Sequence, residues 1–261
     1  MAHPERPSRL GRVGRTYKTE AVVLRSLRFS EADRILHLYT RERGRIGAIA
    51  KGVRKTKSRF GARLEPLSHA ELMLHEGSGE LHTVTGVELV RSHRAAREEP
   101  YRLGVGLIGA EAMLKLFAEP EPNARAFEAL TRFLDLVDEA QAEPASTALD
   151  PLALSFQLKL LWLSGYLPHV TTCVECGAGE LVAYSPRAGG AVCAEHASGS
   201  LRLSADGLAG VERLLSTPLA DAQAAGLSER AQREALTVVT SSYEEHGGFR
   251  LRTLSQAVGR Q

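Results

Sequence analysis

Residues 33–54, DRILHLYTRERGRIGAIAKGVR, contain two runs of strand character around a short turn, and their reading decides the first third of the chain. In GRIGAIAKGVR (44–54), Ile46, Ala48 and Ala50 alternate with Gly47, Ile49 and Lys51. That is the period of two with which a strand gives one face to a core. DRILHLYTR (33–41) precedes it across Glu42-Arg43-Gly44. Upstream, TYKTEAVVLRSLRF (16–29) is β-branched at its centre and holds no breaker. Downstream, HAELMLHEG (69–77) and ELHTVTGVELV (80–90) flank Ser78-Gly79, a hairpin signal. Leu72 and Leu74 alternate with Glu71 and His75, as a half-buried strand requires. KSRFGARLEP (57–66) leaves room for a short helix between strands three and four. Five strands with a helix in that place is the order of a five-stranded OB-fold β-barrel, and a small SH3-like barrel satisfies the same pattern.

From about Pro100 the period becomes helical. YRLGVGLIGAEAMLKLFAE (101–119) ends at Pro120. NARAFEALTRFLDLVDEAQAE (123–143) opens on an Asn123 cap and repeats Phe127, Leu130, Leu134 and Val137 at helical steps. DPLALSFQLKLLWLSGYLP (150–168) starts with Asp150-Pro151 and is expected to stop at Pro168. Residues 204–216, 228–246 and, more weakly, 249–258 read as further helices. The fold class is therefore α+β and multi-domain. The expected divisions are a flexible basic arm (1–15), the barrel (16–92), a helical domain in two parts (100–168 and 201–261) and an inserted module that holds all three cysteines (169–200). RSHRAAREEP (91–100) is read as the break between barrel and helices.

Charge is distributed unevenly. Residues 1–63 hold 17 Lys and Arg against 5 Asp and Glu, a net of +12, and the remainder carries −10. Like charges crowded into a small region repel one another, so a polyanionic partner is the natural explanation. Nucleic acid and an acidic membrane surface both meet that description. No run of about 18 apolar residues is present to span a bilayer, and the first residues lack the apolar stretch of a signal peptide.

The three cysteines of the chain and one histidine form Cys173-x2-Cys176-x16-Cys193-x2-His196. Each close pair places two ligands on one knuckle, and the intervening chain brings the knuckles together around a tetrahedral metal. Four protein ligands leave no open position, so one structural Zn²⁺ is expected. A redox CxxC is disfavoured because no thioredoxin-like βαβ pattern surrounds it, and the few cysteines suit a reducing compartment.

Three near-motifs carry no chemistry. Gly104-Val-Gly106-Leu-Ile-Gly109 fits a dinucleotide fingerprint letter for letter, but no strand precedes it. Close helix packing accounts for its small residues. His69-Ala-Glu71 resembles a zinc deaminase motif, yet lies about a hundred residues from the cysteines; a surface or strand-edge histidine is expected. GVRKTKS (52–58) lacks the glycine before the lysine of a phosphate loop. No enzyme activity is expected.

Three stretches also resemble a known family. VVLRSLRFSEADRILHLYTRERGRIGAIAKGVRKTKSRFGARLEPL (22–67), FQLKLLWLSGYLPHVTTCVECG (156–177) and YEEHGGFRLRTLSQAV (243–258) are similar, in order, to segments of the RecO recombination mediators. The resemblance implies an N-terminal OB-fold and a helical domain with an inserted zinc module. It further implies binding of single- and double-stranded DNA and annealing of strands coated with single-strand-binding protein. With the partner RecR, such proteins help RecA load onto DNA in the bacterial cytoplasm, associated with the nucleoid. His196 stands where a fourth cysteine is possible, which leaves the ligand count complete.

OB-folds bind single strands with a positive groove and aromatic platforms. The expected phosphate contacts are Arg28, Arg34, Arg41, Arg43, Arg45, Lys51, Arg54, Lys55, Lys57 and Arg59, the loop groups foremost. Phe29 and Phe60 are the stacking candidates. A zinc-ribbon protein acting on RNA or in transcription shares the basic β-domain and the knuckles. A zinc hydrolase is disfavoured by the closed ligand set.

Overall fold

The computed structural model describes residues 14–55, 58, 60–77, 79–140 and 146–254. Most of the predicted basic arm, together with Lys57 and Arg59, lies outside these residues. Among the described residues five strands form the first third of the chain: β1 (Arg15–Arg28), β2 (Arg34–Thr40), β3 (Gly44–Ala50), β4 (His69–Glu76) and β5 (His82–Arg91). Their order is β1-β2-β3-β5-β4, and β4 returns to β1 to close a barrel. A short parallel pair, Ala48 opposite His82 and Ile49 opposite Thr83, joins β3 to β5.

The alternation in the sequence decides which side chains enter. Val23, Leu36, Leu38, Ile46, Ala48, Ala50, Leu72 and Leu74 fill the interior. In place of a full helix between β3 and β4, a single 3-10 turn (Gly61–Leu64) delivers Phe60 and Leu64 into that interior. The outward residues of β1 and β2 nearest the helical half, Val22, Leu24 and Tyr39, join a second and larger core.

Among the described residues that second core is built mainly by six helices: α1 (Arg94–Glu98), α2 (Pro100–Leu116), α3 (Ala124–Glu139), α4 (Pro151–Leu163), α5 (Ala205–Ser216) and α6 (Glu229–Gly247). Their starts are written in the sequence. The Asn123 side chain accepts from the Ala126 amide at 3.0 Å, and Asp150 accepts from Leu152 and Ala153 with Pro151 in the first turn. Between β5 and α2 the chain passes through α1, held by His93 against the Leu67 carbonyl (2.7 Å) and by Asp138 on the Ala96 amide (2.8 Å). One expectation is corrected: α4 stops at Leu163, well before Pro168, where Gly165 takes φ +89. A β-carbon disfavours that backbone region, so glycine ends the helix first.

Between α4 and α5 the chain forms a small sheet of β6 (Ala183–Ser185), β7 (Gly190–Val192) and β8 (Leu201–Arg202), in the order β7-β6-β8. Tyr184 of β6 anchors it to α6 through a 2.8 Å hydrogen bond with Ser242. Among the described residues no helix is long and apolar enough to cross a membrane.

Candidate nucleic-acid face and metal centre

The candidate metal centre is built by two tight turns. Gly177, at φ +77, lets the first knuckle fold so that its amide donates to the Cys173 carbonyl at 2.8 Å. The second follows β7, where the His196 amide donates to the Cys193 carbonyl at 3.1 Å. The four ligand atoms of Cys173, Cys176, Cys193 and His196 all lie within 4.8 Å of one another. Cys176 Sγ is 3.8 Å from Cys193 Sγ, and His196 Nδ1 is 3.7 Å from Cys173 Sγ and 3.3 Å from Cys193 Sγ. Tetrahedral ligands at zinc bond lengths stand roughly 3.6–3.8 Å apart, so the donor set fits such an ion. Burial opposes ionisation of Cys173, but the backbone amides of Cys193, Glu175 and Cys176 outweigh it and bring its pKa down to about 6. Thiolate is the ligating form. The spacing alone located this site.

Of the predicted DNA contacts among the described residues, all but Arg45 fall into two groups. At one end of the barrel, Arg28, Lys51, Arg54 and Lys55 are exposed. The loops that carry them are tied together: the Gly52 amide donates to Asp33 at 2.8 Å, and Arg54 donates to the Glu31 carbonyl at 2.8 Å. Phe29 stands beside them, 58% exposed. Phe60 does not, at 2% exposed; it is core, and its candidacy for stacking is corrected. The other group is already engaged. Arg34 reaches Ser26 and Glu65 at the barrel's end. Arg43 pairs with Glu76 at 2.9 Å over the Tyr17 ring. Arg41 pairs with Glu20 at 2.7 Å and Glu128 of α3 at 3.4 Å, with its guanidinium 4.9 Å from the Phe127 ring centroid. Arg41 therefore joins barrel to helices.

His69 is neither a surface nor an edge residue. It is buried at this same seam, edge-on to Phe127 and 3.9 Å from Glu20, and burial holds its pKa down. The three glycines of the false fingerprint lie inside α2 at close approaches: a β-carbon at Gly104, Gly106 or Gly109 would come 3.0 Å from Thr147, 2.6 Å from Leu67 or 2.4 Å from Phe133.

Arg45 belongs to neither group. On the outer face of β1–β3 it accompanies Arg25 and His37, which sequence reading missed. Arg25 and His37 are register partners, and Arg45 is the partner of Tyr39, next outward after His37. A signal was available: Leu36 and Leu38 face inward, so His37 faces out. Burial, then Arg25 and Arg45, push the His37 pKa down. These three line one wall of a cleft of about 610 Å³, whose opposite wall comes from α2 and residues 252–253.

Two family models match the chain, described as the N-terminal part of recombination protein O over residues 15–93 and its C-terminal part over residues 97–255. A relative from Rubrobacter xylanophilus, named DNA repair protein RecO, is 39% identical over 225 residues, covering 83% of this chain and 88% of the relative. Proteins of the same name from Anaeromyxobacter sp. strain K and Heliobacterium modesticaldum are each 35% identical, over 90% and 94% of this chain and 92% and 91% of their own lengths.

Proposed function

Because the chain belongs to the RecO family of DNA repair proteins, we propose that it serves DNA repair and recombination as a binding protein rather than an enzyme. In this reading it holds single- and double-stranded DNA on its barrel, anneals strands coated with single-strand-binding protein, and with RecR promotes RecA loading in the bacterial cytoplasm. One observation carries the reading: exposed cations without acidic partners among the described residues cluster with Phe29 at one end of a five-stranded barrel. OB-folds take oligonucleotides on the face of strands two and three and on the adjoining loops. Annealing then needs no covalent chemistry. Neutralising two phosphate backbones on one positive surface lowers their mutual repulsion.

Residues Cys173, Cys176, Cys193 and His196 would hold one structural zinc, which fixes the shape of the module when bound. For the protein partner, the support is an apolar groove of about 570 Å³ lined by Lys159, Trp162 and Leu167 among others, with Trp162 51% exposed. In this reading the groove takes single-strand-binding protein.

The test is annealing of two complementary oligonucleotides precoated with single-strand-binding protein. Added protein should accelerate duplex formation. With about six phosphate contacts, the log–log salt slope for a single strand should be roughly −4, so threefold more salt weakens binding about a hundredfold. A protein that ignores DNA at low ionic strength, or turns a substrate over alone, overturns the reading. Tighter binding of RNA than of DNA at equal salt would favour the zinc-ribbon alternative.

A further inference from the structure

The cleft between barrel and helices brings together cations that are distant in sequence. Arg25, His37 and Arg45 come from β1, β2 and β3, Lys115 from the last turn of α2, and Arg252 from the segment after α6. Among the described residues neither Arg25, Arg45, Lys115 nor Arg252 has a carboxylate in ion-pair range, whereas Arg34, Arg41 and Arg43 each have one. The acidic side chain in the cleft, Glu111, is already engaged. It accepts from the amides of Arg252 (3.0 Å) and Thr253 (2.9 Å) and from the Thr253 hydroxyl (2.7 Å).

We infer that this cleft is a phosphate-binding site for a single nucleic-acid strand, assembled jointly by the barrel and the helical domain. The inference rests on the DNA-binding reading above and specifies where the strand goes once it leaves the exposed end of the barrel. Arg25 and Arg28 lie on the same strand, three residues and so about 10 Å apart, and the odd spacing turns their side chains to opposite faces. A backbone that leaves the loop cations reaches the cleft by rounding the end of β1, where Arg28 is the last residue. The volume of about 610 Å³ suits a small ligand such as one nucleotide unit. Guanidinium groups on two facing walls match the geometry of a phosphodiester, and the apolar floor, Leu24, Leu107 and Leu114 among it, accepts a base without reading it. An acidic peptide carries charge as well, but lacks continuity with the barrel's ligand face.

The experiment uses the full chain and a fluorescent oligothymidylate titrated across salt. K115Q/R252Q removes exposed side chains of the helical wall and leaves the barrel unchanged. Its log–log slope should be shallower than the wild type's by about 1.4, from about 0.7 per lost contact, with an unchanged melting temperature. In parallel, the NMR titration of His37, which shares the cleft with Arg25, Arg45, Glu111, Lys115 and Arg252, should move to higher pH when the oligonucleotide saturates. If wild type binds steeply while the variant keeps the same slope and His37 does not move, the cleft is not on the path and the DNA reading survives. Loss of binding to an acidic peptide, with oligonucleotide binding intact, also overturns the inference. Absence of any wild-type binding removes the reading beneath it.

Discussion

The barrel meets the helices along two edges, and the same residue type does opposite work at each. On one edge Arg41 is neutralised by Glu20 and Glu128 and lies over Phe127. On the other, Arg25 and Arg45 face Lys115 and Arg252 across a cleft whose acid is already bound to backbone amides. A guanidinium between two carboxylates is part of the structure, whereas cations facing one another repel until an anion arrives. The count of basic residues in a segment therefore says little until the partner of each is known.

Chelation should have the largest effect: a zinc ion held by the Cys3His set would couple on the order of 10–16 kcal/mol to local folding. Limited proteolysis should open residues 170–200, while the salt slope for single strands stays as it was. A slope lost with the metal would mean that the cleft and the module are one unit. Phe127→Ala comes next. The side chain is wholly buried at the closed edge, so a loss of about 3–5 kcal/mol in urea unfolding is expected. Arg41→Gln should cost only about 1 kcal/mol, since its pairs are partly exposed, and should leave the salt slope untouched. The reverse pattern is expected of R25Q/R45Q: stability within about 0.5 kcal/mol and a slope shallower by about 1.4.

Acidity separates the edges least, but with a defined sign. Burial holds the neutral imidazoles of His37 and His69, so the folded protein takes up these protons at lower pH than the unfolded chain. Their contribution to stability is complete above about pH 6.5 and is lost as the pH falls through the lowered native values. Thermal unfolding between pH 7.5 and 5 should show that decline. Bound oligonucleotide should reduce the part due to His37 and not the part due to His69.

Much of this was legible in the residues. Alternation through Ile46, Ala48 and Ala50 assigned the barrel's interior, and the cysteine spacing picked out the four side chains that converge as a candidate metal site, because both signals are local. Phe60 was misread for a physical reason: basic neighbours suggest a surface, yet the turn at Gly61–Leu64 aims the ring inward. The helix end at Gly165 was missed because proline is the more visible stop. Lys115 and Arg252 were out of reach altogether. Nothing near either residue in sequence shows that Glu111 fixes residues 252 and 253 beside β1 and β3.

The glycine at 109 has a practical corollary. Its α-hydrogen lies against Phe133 and Phe156, whose rings stack at 4.1 Å. A library fully randomised at that codon and selected for soluble expression should return glycine almost alone. A search by pattern would take that invariance for a nucleotide fingerprint, when it records only how closely two aromatic rings approach a helix.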